Sequence, residues 1–280
     1  MPDPEEIRRA HSAAEKLKAE GNVAFQKQKW GAAVDRYTEA LLLAPEWPVL
    51  LVNRAMCQKH RGRWDEVESD SRRALELESR NMKGNYLLGQ ALRERSDLTG
   101  GIKHLTKALE LAREQGHNIK DQIWRELAKA RYSKWQIDST ARKVEQECLV
   151  ERLRQLLQKD LQQSNAQRGE EQLGAQAQCD HDLAALQRMA ERASALDREL
   201  EPDNAFTCRL TMEVFREPVI TPSGLSYEQS ALQEHLSKVG NFDPVTRKHM
   251  TSRDVTPNLQ LRAATEHYLD EHPWAWADVC

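Results

Sequence analysis

The hydrophobic positions in the first half of the chain recur with a period of 34 residues, most clearly in EALLLAP (39–45), RALELES (73–79) and KALELAR (107–113). Small residues keep the same register: Gly21, Ala55, Gly89; Ala33, Val67, Gly101; and Ala40, Ala74, Ala108. Larger residues do so too: Trp30, Trp64, Leu98; and Tyr37, Ser71, Leu105. Small residues let two helices cross closely and larger ones fill the gaps between pairs, so the pattern predicts stacked helical hairpins.

An ordinary helical bundle with chance self-similarity is the alternative, but too many positions 34 residues apart agree for chance. A 34-residue period with small residues at these positions and a closing Pro45 resembles the tetratricopeptide repeat. The resemblance implies a solenoid with repeats at 14–47, 48–81 and 82–115, inside a domain at 14–138. Residues 118–137 are suited to a capping helix, because one stripe carries Ile119, Ile123, Leu127 and Ala130.

The segment 139–201 is charged and helical in character, with narrow apolar seams. The first seam consists of Leu149, Leu153, Leu156 and Leu157, and the second, at heptad spacing, of Leu186, Met189, Ala193, Leu196 and Leu200. A Gln-, Gly- and Ser-rich interruption at 164–178 predicts a turn or connector between them. We therefore expect a coiled-coil hairpin, and a homodimer because so narrow a seam usually needs a partner. A solvated linker of single helices is the alternative.

Strand and turn signals appear only in the last part of the chain. TMEVF (211–215) alternates as a strand does, TPSG (221–224) marks a turn, and LSYEQSALQEHL (225–236) enters a helix. The final helix follows Pro257. The predicted fold is therefore mainly α, with a three-repeat solenoid and its capping helix, a central coiled-coil hairpin, and a small α+β domain at 202–280.

Polar side chains mark one face of the first helix in each hairpin. Counted from the first residue of each 34-residue repeat, four polar side chains share one helix face: Lys83 at position 2, Lys18 at position 5, Asn53 at position 6 and Asn22 at position 9. Stacked first helices line the concave surface of a solenoid, so this groove offers two ammonium groups and two carboxamides to a carboxylate-rich extended peptide. A generic solvated groove is the alternative, but asparagine in mid-helix is unfavourable unless it is used.

This polar set resembles the two-carboxylate clamp of chaperone-binding tetratricopeptide domains, which hold the C-terminal Glu-Glu-Val-Asp of heat-shock chaperones. Four of the five clamp positions match, and the fifth is Leu87, where several clamp domains carry a basic residue. The change predicts a preference for ligands with an apolar residue upstream of the terminal acids. Tyr86 and Ile119 are candidate apolar walls.

In the C-terminal domain, FREPVITPSGLSYEQSALQEHL, DPVTR and PNLQLR together resemble the U-box, a metal-free relative of the RING finger found in ubiquitin ligases. A RING of this size needs about eight zinc ligands, and the Cys and His residues here have no such spacing. We predict no metal and no cofactor. Side-chain hydrogen bonds must then hold the loops, and the candidates are Glu217, Ser223, Tyr227, Asp243, Thr246 and Asn258. A cryptic zinc-binding RING is the alternative.

The U-box resemblance implies docking of a ubiquitin-charged conjugating enzyme, with Leu210, Met212 and Pro244 as an apolar patch and Arg247 as the residue that hydrogen-bonds across enzyme and ubiquitin. The first two positions are often Ile and Phe in the family, so the choice of conjugating enzyme stays open. Packing of Leu210 and Met212 in the core is the alternative. No nucleophile constellation is evident around Cys208, so the transfer should depend on positioning without a covalent ligase intermediate.

Composition and charge limit the classes of partner and the cellular locations that we expect. The net charge of −3 gives no surplus for nucleic acid, and no apolar run is long enough for a membrane span. The first residues have no apolar signal region, and the five cysteines are scattered, so we expect a cytosolic or nuclear protein without disulfides.

The order of the domains resembles a family of chaperone-associated ubiquitin ligases. The resemblance implies a homodimer that docks on heat-shock protein 70 and 90 class chaperones and ubiquitinates misfolded clients for proteasomal degradation. A non-catalytic co-chaperone scaffold is the alternative, motivated by the changes at Leu210 and Met212.

Overall fold

A computed structural model describes residues 4–167, 172–195 and 197–279. The chain is mainly helical with one small sheet, as predicted, and it divides into two compact units between Arg131 and Tyr132. In the described part of the chain, no helix combines the length and the apolar character that crossing a membrane requires.

The first unit contains three antiparallel helical hairpins. Their helices are α1 (Pro4–Gln26) and α2 (Trp30–Leu43), α3 (Pro48–His60) and α4 (Trp64–Leu77), and α5 (Met82–Glu94) and α6 (Leu98–Glu114). The second helices start at Trp30, Trp64 and Leu98, so the 34-residue period of the sequence is also the period of the structure. The predicted hairpin repeats are confirmed.

Each hairpin makes the same turn between its helices. The residue before the second helix's N-cap has a left-handed backbone in all three: Gln28 (φ 57°), Gly62 (φ 69°) and Ser96 (φ 66°). In each case the next amide bonds to the carbonyl five residues earlier, the Schellman closure of a helix C-terminus. Only the middle turn uses glycine, which adopts this conformation without strain.

Glycines also set how closely the helices approach. A Cβ at Gly21 would lie 2.6 Å from the Tyr37 ring, and one at Gly89 would lie 2.6 Å from Leu105. A Cβ at Gly101 would lie 3.0 Å from the Gly89 carbonyl oxygen. The repeated small positions therefore lie where paired helices cross, as the sequence predicts.

The capping helix is not a separate element. Helix α7 (Lys120–Gln167) runs for 48 residues and crosses the predicted boundary at 138 without interruption. Ile123, Leu127 and Ala130 are buried as predicted, while Ile119 lies just before the helix and is half-buried. The helix continues because neither proline nor glycine occurs between Lys120 and Gln167.

Helix α7 pairs with α8 (Gln172–Ala195) as an antiparallel hairpin. Arg142 forms a bidentate ion pair with Asp197, and the Gln146 amide donates to the Ala190 carbonyl oxygen. Nearer the tip, Cys179 contacts the Leu157 carbonyl. Polar contacts therefore link the two arms of the hairpin at several points.

The predicted connector at 164–178 is wrong over most of its length, since 164–167 and 172–178 are helical. Glutamine, alanine and glutamate are good helix formers, so a polar composition does not end a helix. Positions 168–171, and Leu196 of the second seam, lie outside the described residues. The exposed fractions of Leu149, Leu156 and Met189 are 55%, 53% and 68%, so much of the predicted seam faces away from the hairpin partner.

The C-terminal domain has a three-stranded antiparallel sheet beside two helices. The strands are β1 (Pro218–Ile220), β2 (Ser226–Glu228) and β3 (Thr256–Pro257) in the order β2-β1-β3, and the helices are α9 (Gln229–Lys238) and α10 (Leu259–Glu271). Buried Cys208, Phe215, Val219, Tyr227, Leu232 and Met250 form the core.

The predicted strand at 211–215 is wrong. Val214 alone of these residues makes a bridge, to Thr207, and the segment otherwise belongs to a loop. Met212 has a left-handed backbone (φ 59°), which is incompatible with an extended strand, so closure of the loop overrides the alternating pattern.

Candidate functional site

Three of the four polar residues predicted for the groove surround one cavity in the first unit. Asn22 on α1, Asn53 on α3 and Lys83 on α5 line a cavity of about 420 Å³. The remaining lining residues are Phe25, Gln26, Tyr37, Val52 and Met56. Part of the lining is thus polar and cationic, and the rest is apolar.

The amide of Asn22 is oriented by its neighbours. The Tyr37 hydroxyl donates to Asn22 Oδ1 over 2.7 Å, and Asn53 Nδ2 lies 3.4 Å from the same oxygen. Burial raises the pKa of Tyr37 to about 12, so the phenol keeps its proton and remains a donor. Because the oxygen of Asn22 is occupied, its NH2 group is the part left for a ligand.

Lys18 lies on α1 one turn before Asn22 but does not line this cavity. Its ammonium is 4.3 Å from the centre of the Trp47 ring, a cation–π contact, and the same ring stacks on His11 with a centroid distance of 4.6 Å. Trp47 itself packs against the hydrophobic core of the unit. The indole therefore fixes the Lys18 side chain beside the groove.

The structure corrects two of the predicted apolar contacts. Leu87 is fully buried in the core, and Tyr86 is 3% exposed with its hydroxyl accepting from Gln90 Nε2 over 3.0 Å. Helix α5 packs against α3, α4 and α6, so almost all of its faces are covered. Neither side chain forms an open groove wall, whereas half-buried Ile119 keeps accessible surface.

Sequence reasoning missed the part played by Tyr37, Phe25 and Met56. Tyr37 was assigned only to packing, although it is the largest residue of a column that holds Ser71 and Leu105 in the other repeats. Phe25 and Met56 each follow a groove asparagine by three residues, so helix periodicity places them on the same face. That spacing was the available signal.

In the C-terminal domain, a buried carboxylate organises the second of two loops. Asp243 is 1% exposed, and its two oxygens accept from the hydroxyls of Ser223 (2.5 Å), Thr221 (3.0 Å) and Tyr227 (2.9 Å). The backbone amides of Val245 and Thr246 also donate to it, each over 2.9 Å. Burial alone would raise the pKa of Asp243, but these donors outweigh it and hold the pKa well below its usual range.

Other predicted hydrogen-bonding residues also act between elements. Asn258 caps α10 by accepting from the Leu261 amide and donates to Ser226 Oγ on β2. Glu217 forms an ion pair with Arg262 over 3.3 Å. The predicted side-chain hydrogen bonds are confirmed for Ser223, Tyr227, Asp243 and Asn258, and for Glu217 as an ion pair, whereas Thr246 contributes through its backbone amide.

Two loops of this domain share one backbone frame. In loop 1 (207–214), the Cys208 amide donates to the Glu213 carbonyl and the Met212 amide to the Cys208 carbonyl. In loop 2 (242–249), Asp243 donates to Lys248 and Arg247 to Asp243 in the same way. An antiparallel bridge closes each loop, Thr207 with Val214 and Phe242 with His249.

The residues that begin the two loops have equivalent roles. Cys208 Sγ accepts from the Leu210 amide as Asp243 accepts from Val245. Both are tied to consecutive residues of β2, Cys208 to the Glu228 amide and Asp243 to the Tyr227 hydroxyl. The two loops are therefore held beside the same strand.

The predicted docking residues lie on these loops. In loop 1, Leu210 is 37% exposed and Met212 is 72% exposed, so the alternative that both are core residues is wrong for Met212. In loop 2, Pro244 is half-buried and Arg247 is exposed. Met212 and Arg247 occupy the same frame position and share a left-handed backbone, with φ values of 59° and 61°.

The U-box domain family matches residues 202–274, the region that contains both loops. Over 276 residues the chain is 39% identical to the E3 ubiquitin-protein ligase CHIP of Arabidopsis thaliana, covering 97% of this chain and 98% of the relative. The chain belongs to the CHIP family of E3 ubiquitin ligases.

Two further likenesses concern the repeats of this CHIP-family chain. The Heat-shock protein cognate (HSC) co-chaperone sgt12 of Aspergillus fumigatus is 29% identical over 133 residues, which are 48% of this chain and 35% of the relative. The solved first TPR of Spaghetti (RPAP3) bound to HSP90 peptide SRMEEVD is 29% identical, with a TM-score of 0.39, covering 43% of this chain and 91% of that one.

As a CHIP-family U-box ligase, the chain acts in ubiquitin transfer without a covalent intermediate of its own. The geometry agrees, since Cys208 has no exposed surface and its sulfur accepts two backbone N–H groups. Such a ligase accelerates transfer by holding the reactants in a productive arrangement. Among the described residues, no group of three or more His, Cys, Asp or Glu side chains could hold a metal ion.

Proposed function

We propose that the groove of the first unit binds the acidic C-terminal tail, Glu-Glu-Val-Asp, of heat-shock protein 70 and 90 class chaperones. The U-box would then direct ubiquitin to the chaperones' misfolded clients for proteasomal degradation. The supporting observation is the convergence of Asn22, Asn53 and Lys83 on one cavity, with the Asn22 oxygen already occupied by Tyr37. A likeness to an HSC co-chaperone over 48% of the chain also supports it.

The chemistry of this cavity favours an anion. Lys83 supplies an ammonium and Asn22 an NH2 group, while the one carbonyl oxygen that Asn22 could offer already accepts two hydrogen bonds. A carboxylate satisfies both donors and pairs with the charge. The apolar side, with Phe25 and Met56, suits the valine beside the terminal aspartate. Lys18, held on Trp47, would add a second cation.

We further propose that Leu210, Met212 and Pro244 dock the conjugating enzyme and that Arg247 contacts both enzyme and ubiquitin. The exposed apolar side chains of Leu210 and Met212 support this proposal, because their loop is held beside the same strand as the loop of Pro244 and Arg247. This exposed loop favours a ligase over the alternative of a non-catalytic scaffold.

We also propose that the chain is a homodimer joined through the hairpin of α7 and α8. Leu149 and Leu156, each more than half exposed, lie along one seam of α7 and would be covered by a second copy. Sedimentation of the full chain should give twice the monomer mass, and the double variant Leu149→Glu/Leu156→Glu should halve it.

We propose a cytosolic or nuclear location, where chaperones of these classes are available.

Calorimetry with the full chain tests the groove. A Glu-Glu-Val-Asp peptide should bind, its C-terminal amide should bind at least tenfold more weakly, and Lys83→Ala should lower affinity by about tenfold or more, since hydrogen bonds to charged groups are worth about 1.5–3 kcal/mol. Lys107→Ala is the matched control, because it removes the same charge from an exposed site on α6. Equal binding of acid and amide would overturn the assignment.

Ubiquitin-chain formation with purified activating and conjugating enzymes tests the docking surface. Pro244→Ala and Arg247→Ala should each reduce it strongly, to a slow residual rate, whereas Arg253→Ala, an exposed basic residue outside both loops, should leave it intact. Full activity in both folded loop variants would reject the surface. Absence of activity across a broad panel of conjugating enzymes would instead favour the scaffold.

A further inference from the structure

We propose that Phe242 is a positioning residue for Arg247, holding its guanidinium ready for the charged conjugating enzyme. This inference depends on the proposed role of Arg247 in ubiquitin transfer. Arg247 Cζ lies 5.0 Å from the centre of the Phe242 ring, within the range of a cation–π contact. The two residues are the first and sixth of loop 2.

The Phe242 ring is itself firmly held. His235 on α9 packs edge-on against it with a centroid distance of 5.1 Å, and His235 Nε2 lies 3.1 Å from the Phe242 carbonyl oxygen. Gly240 lies against the same ring, where a Cβ would approach to 2.8 Å. The antiparallel bridge to His249 fixes the backbone. The ring is thus a rigid support for a side chain on the surface.

An aromatic support suits a residue that must bind something else. A carboxylate partner would occupy the N–H donors of Arg247 and neutralise its charge, whereas a ring face restrains the guanidinium and leaves its five donors available. Within the described part of the chain, no acidic side chain forms an ion pair with Arg247. Its backbone is also restrained, because its amide donates to the Asp243 carbonyl over 2.9 Å.

The arrangement reduces the conformational freedom that Arg247 loses when the charged enzyme docks. Since Arg247 is proposed to act on the enzyme–ubiquitin conjugate, loss of the ring should slow ubiquitin discharge more than it weakens binding of the uncharged enzyme. An exposed cation–π contact corresponds to a change in rate of about two- to fivefold.

A double-mutant cycle tests this inference in the full-length chain. Single-turnover discharge of a ubiquitin-charged conjugating enzyme to free lysine is measured for wild type, Phe242→Leu, Arg247→Ala and the double variant. Phe242→Leu should slow discharge about two- to fivefold. It should have no further effect when Arg247 is already alanine, because Phe242 acts through Arg247. The affinity for the uncharged enzyme should fall by a smaller factor than the discharge rate in Phe242→Leu, and Phe242→Tyr should restore the rate.

Pentafluorophenylalanine at position 242 provides the test if Phe242→Leu folds poorly. This ring keeps its shape but loses its negative face, so it should slow discharge as leucine does. Normal discharge with the fluorinated ring would overturn the inference, as would an equal loss from Phe242→Leu in both Arg247 backgrounds. A defective Arg247→Ala with an unaffected Phe242→Leu overturns this inference alone. An unaffected Arg247→Ala removes the proposed docking role as well.

Discussion

Tyr37 donates its phenolic hydrogen to the side-chain oxygen of Asn22 across the crossing of α1 and α2. Gly21, the residue before Asn22, is what lets the tyrosine ring come so close to α1. A buried packing residue thereby decides which end of a surface amide faces the groove. The contact joins the packing of the repeat to the selectivity of the proposed binding surface.

Tyr37→Phe should therefore weaken binding of an acidic C-terminal peptide about fivefold, the effect of about 1 kcal/mol for one hydrogen bond. Without the hydroxyl, the Asn22 amide is free to turn its oxygen towards the ligand. Tyr86→Phe, which alters a buried hydroxyl elsewhere in the unit, is the matched control and should bind normally. Calorimetry of both variants measures the difference, and equal affinities would contradict the orienting role.

Asp243→Asn should destabilise the U-box by about 2–4 kcal/mol, because an amide cannot accept all the hydrogen bonds that the carboxylate accepts. A domain of this size has only about 3–5 kcal/mol of stability in total, so ligase activity should be lost with the fold. Asp254→Asn, which removes an exposed capping carboxylate, should destabilise the domain much less. Hydrogen exchange of the U-box amides compares the two, and similar protection in both variants would be inconsistent with a central role for Asp243.

The low pKa of Asp243 also predicts the acid sensitivity of the U-box. A carboxyl whose pKa is lower in the folded state stabilises the fold fully above its unfolded pKa, about 3.9, and this contribution is lost as the pH falls below that value. Unfolding of the wild-type U-box between pH 5 and pH 3 should show this loss. A stability that stays constant over this pH range would contradict the prediction.

His104 should make the first unit less stable in mild acid. Its Nδ1 lies 3.0 Å from Oδ1 of buried Asn85, and burial lowers the pKa of the imidazole. Three cations lower it further, in decreasing order Lys103, Arg72 and Lys107, while Asp97 opposes them. Because the folded pKa is below the unfolded value of about 6.5, stability is complete above pH 6.5 and falls as the pH decreases through that value.

Urea unfolding of the repeat unit in the full chain at pH 7.5 and pH 5.5 measures this effect. His104→Gln should lose less stability between the two pH values than wild type does, because glutamine carries no titrating group. If His104→Gln loses as much stability between the two pH values as wild type does, the pH dependence does not come from His104.

Gaining a glycine and losing one at equivalent hairpin turns should have opposite effects on the stability of the first unit. Ser96 has a left-handed backbone and an exposed side chain, so Ser96→Gly should raise the unfolding free energy by about 0.5–1 kcal/mol by removing backbone strain. Gly62→Ala, at the equivalent turn, should lower it by about 1 kcal/mol. Urea midpoints report both changes, and a stabilising Gly62→Ala would refute the strain argument.

Much of the architecture could be predicted from sequence because its determinants are local. The 34-residue period records where helices cross, and Gly89 and Gly101 do meet at such a crossing. The U-box loops were recognisable because DPVTR carries the Asp243 carboxylate and TPSG carries the Ser223 hydroxyl that bonds to it. When short turns join two elements, their contacting residues recur at fixed spacings that can be recognised in the sequence.

Other features of the structure were missed. Periodicity places Leu87 one turn after Lys83, but it cannot show that α5 is covered on nearly every face. The Met212 segment alternates like a strand, yet its loop closes on Cys208. Nor does the Gln-rich composition of 164–178 reveal that most of it remains helical. Leu87 is a case in which tertiary packing overrules a local pattern, whereas loop closure at Met212 and the helix propensity of 164–178 are local effects that the sequence interpretation weighed wrongly.

In the two U-box loops, the residues that hold the backbone are different from those that present side chains at the surface. The first residue of each loop, Cys208 or Asp243, faces inward and fixes the backbone, whereas Leu210, Met212 and Arg247 present side chains outward from it. Mutations at the outward positions can therefore accumulate without threatening the fold. Under the proposed docking role, a lineage could change which conjugating enzyme it recruits by substituting two or three side chains, while the scaffold beneath them is inherited intact.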